Sequence, residues 1–133
     1  MSKTIELEII TPEKKFYSGP AEGIIMPAID GQYGVQPGHE PVVTALEPGT
    51  VRYCVDGTWN EVVVSMGFAE IMPDYAILLV DTAERPDEID RARAERALER
   101  AEERMRQKQS IQEYYRSKAA IARAMARLKA SKK

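Results

Sequence analysis

In the stretch Arg85-Pro86-Asp87-Glu88-Ile89-Asp90 the sequence changes character. Glycine and proline recur throughout the chain before this stretch, and neither residue type occurs after it. The residues that follow are mainly Ala, Arg, Glu, Lys and Gln, which have high helix propensities. Pro86 suits the first turn of a helix, and the three acidic residues after it suit the positive end of the helix dipole. The stretch therefore predicts a helical segment that begins near residue 87.

A second helix start is indicated by Ser110-Ile111-Gln112-Glu113, which has the spacing of a capping box. We thus expect two helices, near residues 87–107 and 111–130. Apolar residues form a narrow stripe on each: Ile89, Ala94, Leu98, Ala101 and Met105 on the first, and Ile111, Tyr114, Ile121, Met125 and Leu128 on the second. Packing these stripes together gives an antiparallel hairpin. Because alanine-rich stripes bury little area, we expect the hairpin to be marginally stable and able to open.

The part before residue 86 has the period-two alternation of β-strands. Ile5, Leu7 and Ile9 alternate with two glutamates, as in a half-buried strand. Turn signals separate short runs rich in Val, Ile and Tyr: Pro12-Glu13-Lys14-Lys15, Asp30-Gly31, Glu47-Pro48-Gly49, Asp56-Gly57 and Pro73-Asp74. Asp56-Gly57 predicts a two-residue hairpin turn with positive φ. The predicted fold class is α+β, with an antiparallel β-sandwich over residues 1–85 and a two-helix antiparallel hairpin over residues 86–133.

The composition limits the kinds of site that the chain can build. Cys54 is the only cysteine, so we expect no disulfide, a reducing intracellular setting and a buried, unreactive thiol. The apolar runs are far shorter than the ~20 residues of a membrane-spanning helix, which predicts a soluble protein. His39 is the only histidine, and no nucleophile motif or glycine-rich phosphate loop occurs. We therefore expect a non-enzymatic protein without a metal site.

The charges divide between the two predicted modules. Residues 1–85 contain five Lys and Arg against thirteen Asp and Glu, whereas residues 86–133 contain fourteen against eight. Arginines recur along each predicted helix: Arg93, Arg96, Arg100 and Arg104 on the first, and Arg116, Arg123 and Arg127 on the second. On the first helix a solvated face is an equally good interpretation, because Asp87 and Arg91, and Glu102 and Arg106, have the spacing of ion pairs. On the second helix Glu113 is the only acid against seven cations, which predicts an external anion. These cations are Arg116, Lys118, Arg123, Arg127, Lys129, Lys132 and Lys133. Folding of the hairpin could bring Arg93 and Arg100 close to Arg123 and Arg127, and a polyphosphate would convert their repulsion into charge-assisted hydrogen bonds.

Two motifs carry a resemblance to a known family. The loop Gly31-Gln32-Tyr33-Gly34-Val35-Gln36-Pro37-Gly38-His39-Glu40-Pro41 resembles the G-x-x-G-x-x-P-G-H-x-P loop of epsilon subunits of bacterial F-type ATP synthases. A sandwich followed by a helical hairpin is also that family's layout. Ile89-Asp90-Arg91-Ala92-Arg93-Ala94 is similar to the I-D-x-x-R-A motif of the ATP-binding epsilon subunits of Bacillus-type enzymes.

The resemblance implies that ATP binds to the tail as a regulatory ligand, and it leaves the need for magnesium open. Asp90 would recognise the adenine side, and Glu84 would be a supporting carboxylate. The residues implied at the site are Glu84, Ile89, Asp90, Arg93, Ala94, Arg100, Arg123 and Arg127. With ATP bound the hairpin would stay closed, and an open tail would extend along the gamma subunit toward the beta subunits and block hydrolysis.

The same resemblance implies a place in the rotor. The sandwich would bind the gamma subunit, and Gln32 and His39 would contact the c-ring at the cytoplasmic face of the cell membrane. The alpha and beta subunits would be further partners. Gln32 departs from the glutamate of some relatives, and His39 has an alternative role in satisfying local backbone groups. A nucleic-acid-binding adaptor with a basic tail is the alternative function that the charges permit.

Overall fold

The structure, a computed structural model, describes residues 3–107 and 110–131. The chain divides into two compact units, the first ending at Arg85 and the second beginning at Pro86. The described part of the first unit contains ten strands: β1 (Ile5–Ile10), β2 (Lys15–Ala21), β3 (Gly23–Ala28), β4 (Gly31–Val35), β5 (Val42–Leu46), β6 (Gly49–Val55), β7 (Thr58–Val64), β8 (Gly67–Ile71), β9 (Tyr75–Val80) and β10 (Ala83–Glu84). The second unit contains a 3-10 turn, Pro86–Glu88, and two helices, α1 (Arg91–Arg106) and α2 (Ile111–Ala130). The predicted sandwich followed by a helical hairpin is confirmed.

The strands form a sandwich because β3 takes part in both layers. The hydrogen-bonded order is β10-β7-β6-β3-β5-β8-β9-β1-β2, and β4 pairs with β3. Near its start β3 pairs with β6, whereas its last residue, Ala28, pairs with Leu46 of β5. β2, at one end of this order, also contacts β6, where the rings of Tyr17 on β2 and Tyr53 on β6 are 4.6 Å apart. The pairing of β1 with β9 is parallel, and the other pairings are antiparallel.

The core of the sandwich follows the predicted alternation. Ile5, Leu7 and Ile9 are fully buried, and the two glutamates between them point outward. Each buried side chain of this size contributes about 1.5–3 kcal/mol relative to an exposed one. Cys54 is buried and unpaired, as predicted, and burial together with the nearby Glu22 carboxylate raises the pKa of its thiol. The thiol is therefore protonated and chemically quiet at neutral pH.

The local turn chemistry also follows the sequence. Asp56 and Gly57 connect β6 to β7 with φ values of 50° and 78°, which confirms the two-residue turn with positive φ. Gly31, at the turn from β3 to β4, has a φ of 119°. At both turns the special backbone geometry falls on residue types that tolerate it.

The first helix begins later than the sequence predicted. The amide of Ile89 donates to the carbonyl of Pro86 at 3.3 Å, which closes a 3-10 turn in place of an α-helical one. Asp90 is the N-cap of α1, because its Oδ1 atom accepts a hydrogen bond from the amide of Arg93 at 3.0 Å. Capping by Asp90 sets the helix start at Arg91, so the prediction of a start near residue 87 was wrong by about one turn.

The second helix and the direction of the hairpin agree with the prediction. The capping box is present, since Ser110 Oγ accepts from the amide of Glu113 at 3.2 Å and Glu113 Oε1 accepts from the amide of Ser110 at 3.3 Å. At the opposite end, Arg91 Nη1 donates to the Leu128 carbonyl and to Ser131 Oγ, both at 3.2 Å. The start of α1 therefore lies beside the end of α2, and the helices are antiparallel.

The contact between the helices uses small side chains. Ala94 and Ala101 of α1 and Ser117 and Ala124 of α2 are buried. The predicted stripe on α1 is confirmed, but three residues of the α2 stripe are exposed: Ile111 at 77%, Tyr114 at 41% and Met125 at 56%. These three lie to one side of Ser117 and Ala124, and the single neighbouring helix of the hairpin covers only part of the circumference of α2.

Candidate functional site

The buried residues of the hairpin place its arginines on a common side. Ala94, Ala101, Ser117 and Ala124 are each preceded directly by an arginine, namely Arg93, Arg100, Arg116 and Arg123. One residue turns an α-helix by about 100°, so each of these arginines is rotated away from the contact in the same sense. In an antiparallel pair, equal rotations in the same sense lead to the same side of the hairpin. We call this side the basic flank; its members are Arg93, Arg100 and Arg104 of α1 and Arg116, Arg123 and Arg127 of α2. Arg96 is rotated by about 200° from Ala94 and therefore points away from α2.

The contact between Arg91 and the end of α2 also fixes which arginines lie at the same height. Counting about 1.5 Å of rise per residue from that contact, Arg93 lies level with Arg127, and Arg123 lies between the heights of Arg93 and Arg100, about 4.5 Å from Arg100. The hairpin thus brings the four sequence-predicted arginines onto one flank, within about 11 Å along the helix axes. Four guanidinium groups in this arrangement can donate hydrogen bonds to several oxygens of one anion from both helices.

The arginines of α1 on this flank are exposed and available to a ligand. Within the described residues, Arg93, Arg100 and Arg104 make no ion pair shorter than 4 Å. The ion pairs that α1 does make involve other faces, and they differ from the predicted ones. Arg91 pairs with Glu95 at 3.1 Å rather than with Asp87, and Arg106 pairs with Glu103 at 2.6 Å rather than with Glu102. Of the predicted cations on α2, Lys132 and Lys133 lie outside the described residues.

The acidic and apolar residues assigned to the ATP site divide between the two units: Ile89, Asp90 and Ala94 lie at the start of the second unit, and Glu84 lies in the first. Asp90 is exposed and uses one carboxylate oxygen to cap the helix, which leaves the other oxygen for a ligand. Ile89 is half-buried beside it, and Ala94 is fully buried where the helices approach each other. Glu84 is half-buried in the first unit, in β10, where it pairs with Val63 of β7. The N-cap role explains why residue 90 is an aspartate. The contact of Asp90 with adenine stays a prediction.

His39 is held by two hydrogen bonds within its own loop. Its Nδ1 atom lies 2.7 Å from the Glu40 carbonyl oxygen, which can only accept, so Nδ1 carries a proton and donates it. Nε2 then accepts from the Tyr33 hydroxyl at 3.0 Å. Gly38 has a φ of 86°, and its amide donates to the Pro73 carbonyl at 2.8 Å. These bonds support the local role of His39, whereas the side chain of Gln32 is exposed on β4.

The sandwich also carries an apolar surface that the sequence did not predict. Val43 on β5, Phe68 on β8 and Leu79 on β9 are 68%, 61% and 53% exposed. Phe68 and Leu79 are direct cross-strand partners, and Phe68 is also paired with Ala45 on β5. We call Val43, Phe68 and Leu79 the apolar outer face. The signal in the sequence is that these strands carry apolar residues at outward as well as inward positions, which is typical of a sheet covered on both sides.

Both units match models of one protein family. Residues 4–86 match the beta-sandwich domain, and residues 87–132 match the long alpha-helix domain, of the ATP synthase Delta/Epsilon chain. No helix in the described part of the chain is long and apolar enough to cross a membrane.

Known proteins and structures agree with these matches. The chain is 52% identical over 128 residues to the ATP synthase epsilon chain of Ruminiclostridium cellulolyticum, covering 96% of each chain. It is 46% identical to that of Caldanaerobacter subterraneus, covering 100% of this chain and 97% of the relative. Its fold is similar to a chain of the Euglena gracilis mitochondrial ATP synthase, with a TM-score of 0.83 and 23% identity over 95% of this chain and 80% of that one. A chain from the Tetrahymena thermophila enzyme gives a TM-score of 0.67, with 16% identity over 98% and 97% of the two chains. By sequence and by fold, this chain belongs to the ATP synthase epsilon chain family.

Proposed function

We propose that the sandwich fixes this subunit to the rotor of an F-type ATP synthase and that the hairpin regulates ATP hydrolysis in response to ATP. The subunit itself is non-catalytic in this proposal. Its place is the central stalk, at the cytoplasmic face of the membrane. The observation that carries the regulatory part is the placement of four predicted arginines on one flank of an antiparallel hairpin.

The assembly surfaces lie on the sandwich. The apolar outer face places three exposed apolar side chains on neighbouring strands, which fits a protein partner, and we assign this partner as the gamma subunit. The exposed Gln32 and the loop shaped by His39 are assigned to the c-ring. The solved assemblies that contain the similar chains support both assignments, since one is described as OSCP/F1/c-ring and the other as central stalk/c-ring.

ATP binding stabilises the closed hairpin in this proposal. The phosphates accept charge-assisted hydrogen bonds from Arg93 and Arg100 on α1 and from Arg123 and Arg127 on α2, and Asp90 accepts from the adenine amino group. A ligand that bridges both helices binds the closed hairpin and not the open one. It therefore shifts the equilibrium toward the closed state by mass action.

The hairpin can open because the contact between its two helices buries little apolar surface. Each buried methyl or methylene group contributes only about 0.8 kcal/mol, and the buried centre of the contact consists of three alanines and one serine. Ile111, Tyr114 and Met125 of α2 stay exposed in the hairpin and are available to a second partner. We assign this partner as gamma, along which the open tail extends toward the alpha and beta subunits and blocks hydrolysis.

Calorimetry of the isolated protein with ATP, ADP and GTP tests the ligand. We expect saturable binding of one ATP, with weaker binding of ADP, which lacks one phosphate, and of GTP, whose base presents a carbonyl where adenine has its amino group. Equal affinity for ATP and GTP would remove the assigned role of Asp90. Absence of ATP binding would remove the ATP-dependent part of the proposal and leave the assembly role untouched.

A further inference from the structure

The two helices of the hairpin carry the same pattern of residues at a constant offset. The arginines Arg93, Arg100 and Arg104 of α1 correspond to Arg116, Arg123 and Arg127 of α2. The small and apolar residues Ala94, Leu98, Ala101 and Met105 correspond to Ser117, Ile121, Ala124 and Leu128. The structure respects this repeat, because the small residues that correspond, Ala94 with Ser117 and Ala101 with Ala124, are all buried between the helices.

A repeat on two antiparallel helices creates an approximate two-fold axis. The axis runs perpendicular to both helices through the middle of their contact, so it returns each flank of the hairpin to itself. Applied to the arginines of the proposed ATP site, it converts Arg93 into Arg116 and Arg127 into Arg104, and it exchanges Arg100 with Arg123. The basic flank therefore contains a second set of four arginines toward the connection between the helices, which we call the loop-end set: Arg100, Arg104, Arg116 and Arg123.

The repeat also relates one acidic residue at each end of the flank. Asp90 at the open end corresponds to Glu113 at the loop end. Each acid caps its own helix through one carboxylate oxygen: Asp90 Oδ1 accepts from the Arg93 amide, and Glu113 Oε1 accepts from the amide and the hydroxyl of Ser110, at 3.3 and 3.0 Å. The repeat therefore extends to the helix caps as well as to the arginines and the small residues.

The charge around the loop-end set favours an anion. Arg104 and Arg116 are exposed and, within the described part of the chain, make no ion pair shorter than 4 Å. Glu99 and Glu103 share an open groove of about 510 Å³ with Arg96, Arg100 and Arg104, on the side turned away from α2. On the opposite flank of the hairpin, by contrast, Lys118 lies at the height of Glu102, so the charges there are compensated.

We propose that the basic flank binds a linear polyphosphate that is longer than a triphosphate and runs from the ATP end to the loop-end set. This inference deepens the proposed ATP site, on which it rests for the position of the first phosphates. From Arg93 to Arg104 the flank extends about 16 Å along α1, which exceeds the reach of three phosphoryl groups. A longer chain gains the hydrogen bonds of Arg104 and Arg116.

Calorimetry of the full chain with ATP, inorganic triphosphate and a long-chain inorganic polyphosphate tests the inference. We expect the polyphosphate to bind about tenfold more tightly than triphosphate, or better. The double variant Arg104→Gln with Arg116→Gln should lose that advantage and keep its affinity for ATP. The matched control, Lys118→Gln with Lys129→Gln, removes the same charge from the opposite flank and should keep the advantage. Circular dichroism checks that both variants stay helical.

The inference is overturned by equal affinity for triphosphate and polyphosphate, by an equal loss in the lysine control, or by an equal loss of ATP affinity in the arginine variant. Loss of the polyphosphate advantage only in the arginine variant supports it. Failure of the ATP site is recognised separately, as an absence of ATP binding while the polyphosphate advantage persists. Single-stranded DNA bound as tightly as polyphosphate, with the same loss in the arginine variant, would instead assign the flank to nucleic acid and overturn it as well.

Discussion

Substitution of Asp90 separates a specific ATP site from a merely basic surface. If the arginines held ATP by their net charge alone, removal of a nearby carboxylate would strengthen binding. If Asp90 accepts a hydrogen bond from adenine, its removal weakens binding. Loss of one hydrogen bond to a charged group costs about 1.5–3 kcal/mol, which corresponds to a roughly ten- to hundredfold higher Kd. The two mechanisms thus predict effects of opposite sign.

The structure shows why alanine alone is an ambiguous substitution. Asp90 caps α1 through its bond to the Arg93 amide, and replacing an N-cap by alanine costs about 1 kcal/mol of helix stability. Asp90→Ser keeps an equally good cap and removes the carboxylate. Asp87→Ser removes the same charge from an exposed residue of the 3-10 turn that has no capping role.

Calorimetry with ATP on these three variants, with circular dichroism as a check on helicity, gives the result. We expect Asp90→Ala and Asp90→Ser both to weaken binding about tenfold or more, and Asp87→Ser to leave it unchanged or slightly stronger. Wild-type affinity in Asp90→Ser would refute the reasoning, because it would reduce Asp90 to a helix cap.

Other parts of the molecule give further predictions. Deletion of residues 87–133 should leave a folded sandwich by circular dichroism, since its core lies within the first unit, and should raise hydrolysis by the assembled enzyme; an unfolded fragment would contradict this. Gln32→Ala combined with His39→Ala should lower proton-coupled ATP synthesis without changing ATP affinity, measured in membrane vesicles and by calorimetry. Phe68→Ser should weaken assembly with the gamma subunit in pull-down experiments, whereas the folded sandwich keeps its melting temperature. Ala101→Leu should overpack the helix contact by about 1–3 kcal/mol, open the hairpin and weaken ATP binding, and a hairpin as closed as in the wild type would count against the thin contact.

The parts of the fold that local chemistry decides were predictable from the sequence. The turn at Asp56-Gly57, the capping box at Ser110 and the buried alternation in β1 each depend on residues close in the chain. The strand order was not predictable in this way, because the double role of β3 and the parallel pairing of β1 with β9 join distant segments. The start of α1 was misplaced because Pro86 and Asp90 are both good start signals, and the cap at Asp90 decided the helix start.

The sequence predicted two rows of arginines that could meet when the hairpin closes, but not how the rows are arranged relative to each other. Periodicity shows that Arg93 and Arg100 share a face of one helix and that Arg123 and Arg127 share a face of the other. Whether the two faces meet depends on the direction and rotation of packing, which the buried alanines and the contact of Arg91 with α2 fix in the structure. The apolar outer face was not predicted because Phe68 and Ala69 are both apolar, and the sequence pattern does not say which of the two points outward.

Three residues of the predicted α2 stripe are exposed in the hairpin, and this difference bears directly on the proposed regulation. A helix whose apolar residues cover more of its circumference than one neighbour can bury has apolar area left for another neighbour, and Ile111, Tyr114 and Met125 are that remainder. The closed hairpin therefore leaves these three apolar side chains in water, and the buried centre of the contact between its helices is built from small side chains. A ligand at about 100 times its Kd stabilises the state it binds by about 2.7 kcal/mol, which is comparable with the burial of three alanine methyl groups at about 0.8 kcal/mol each. Under the proposed function, ATP at about 100 times its Kd would therefore shift the hairpin toward its closed state by about as much as these three methyl groups contribute to the contact.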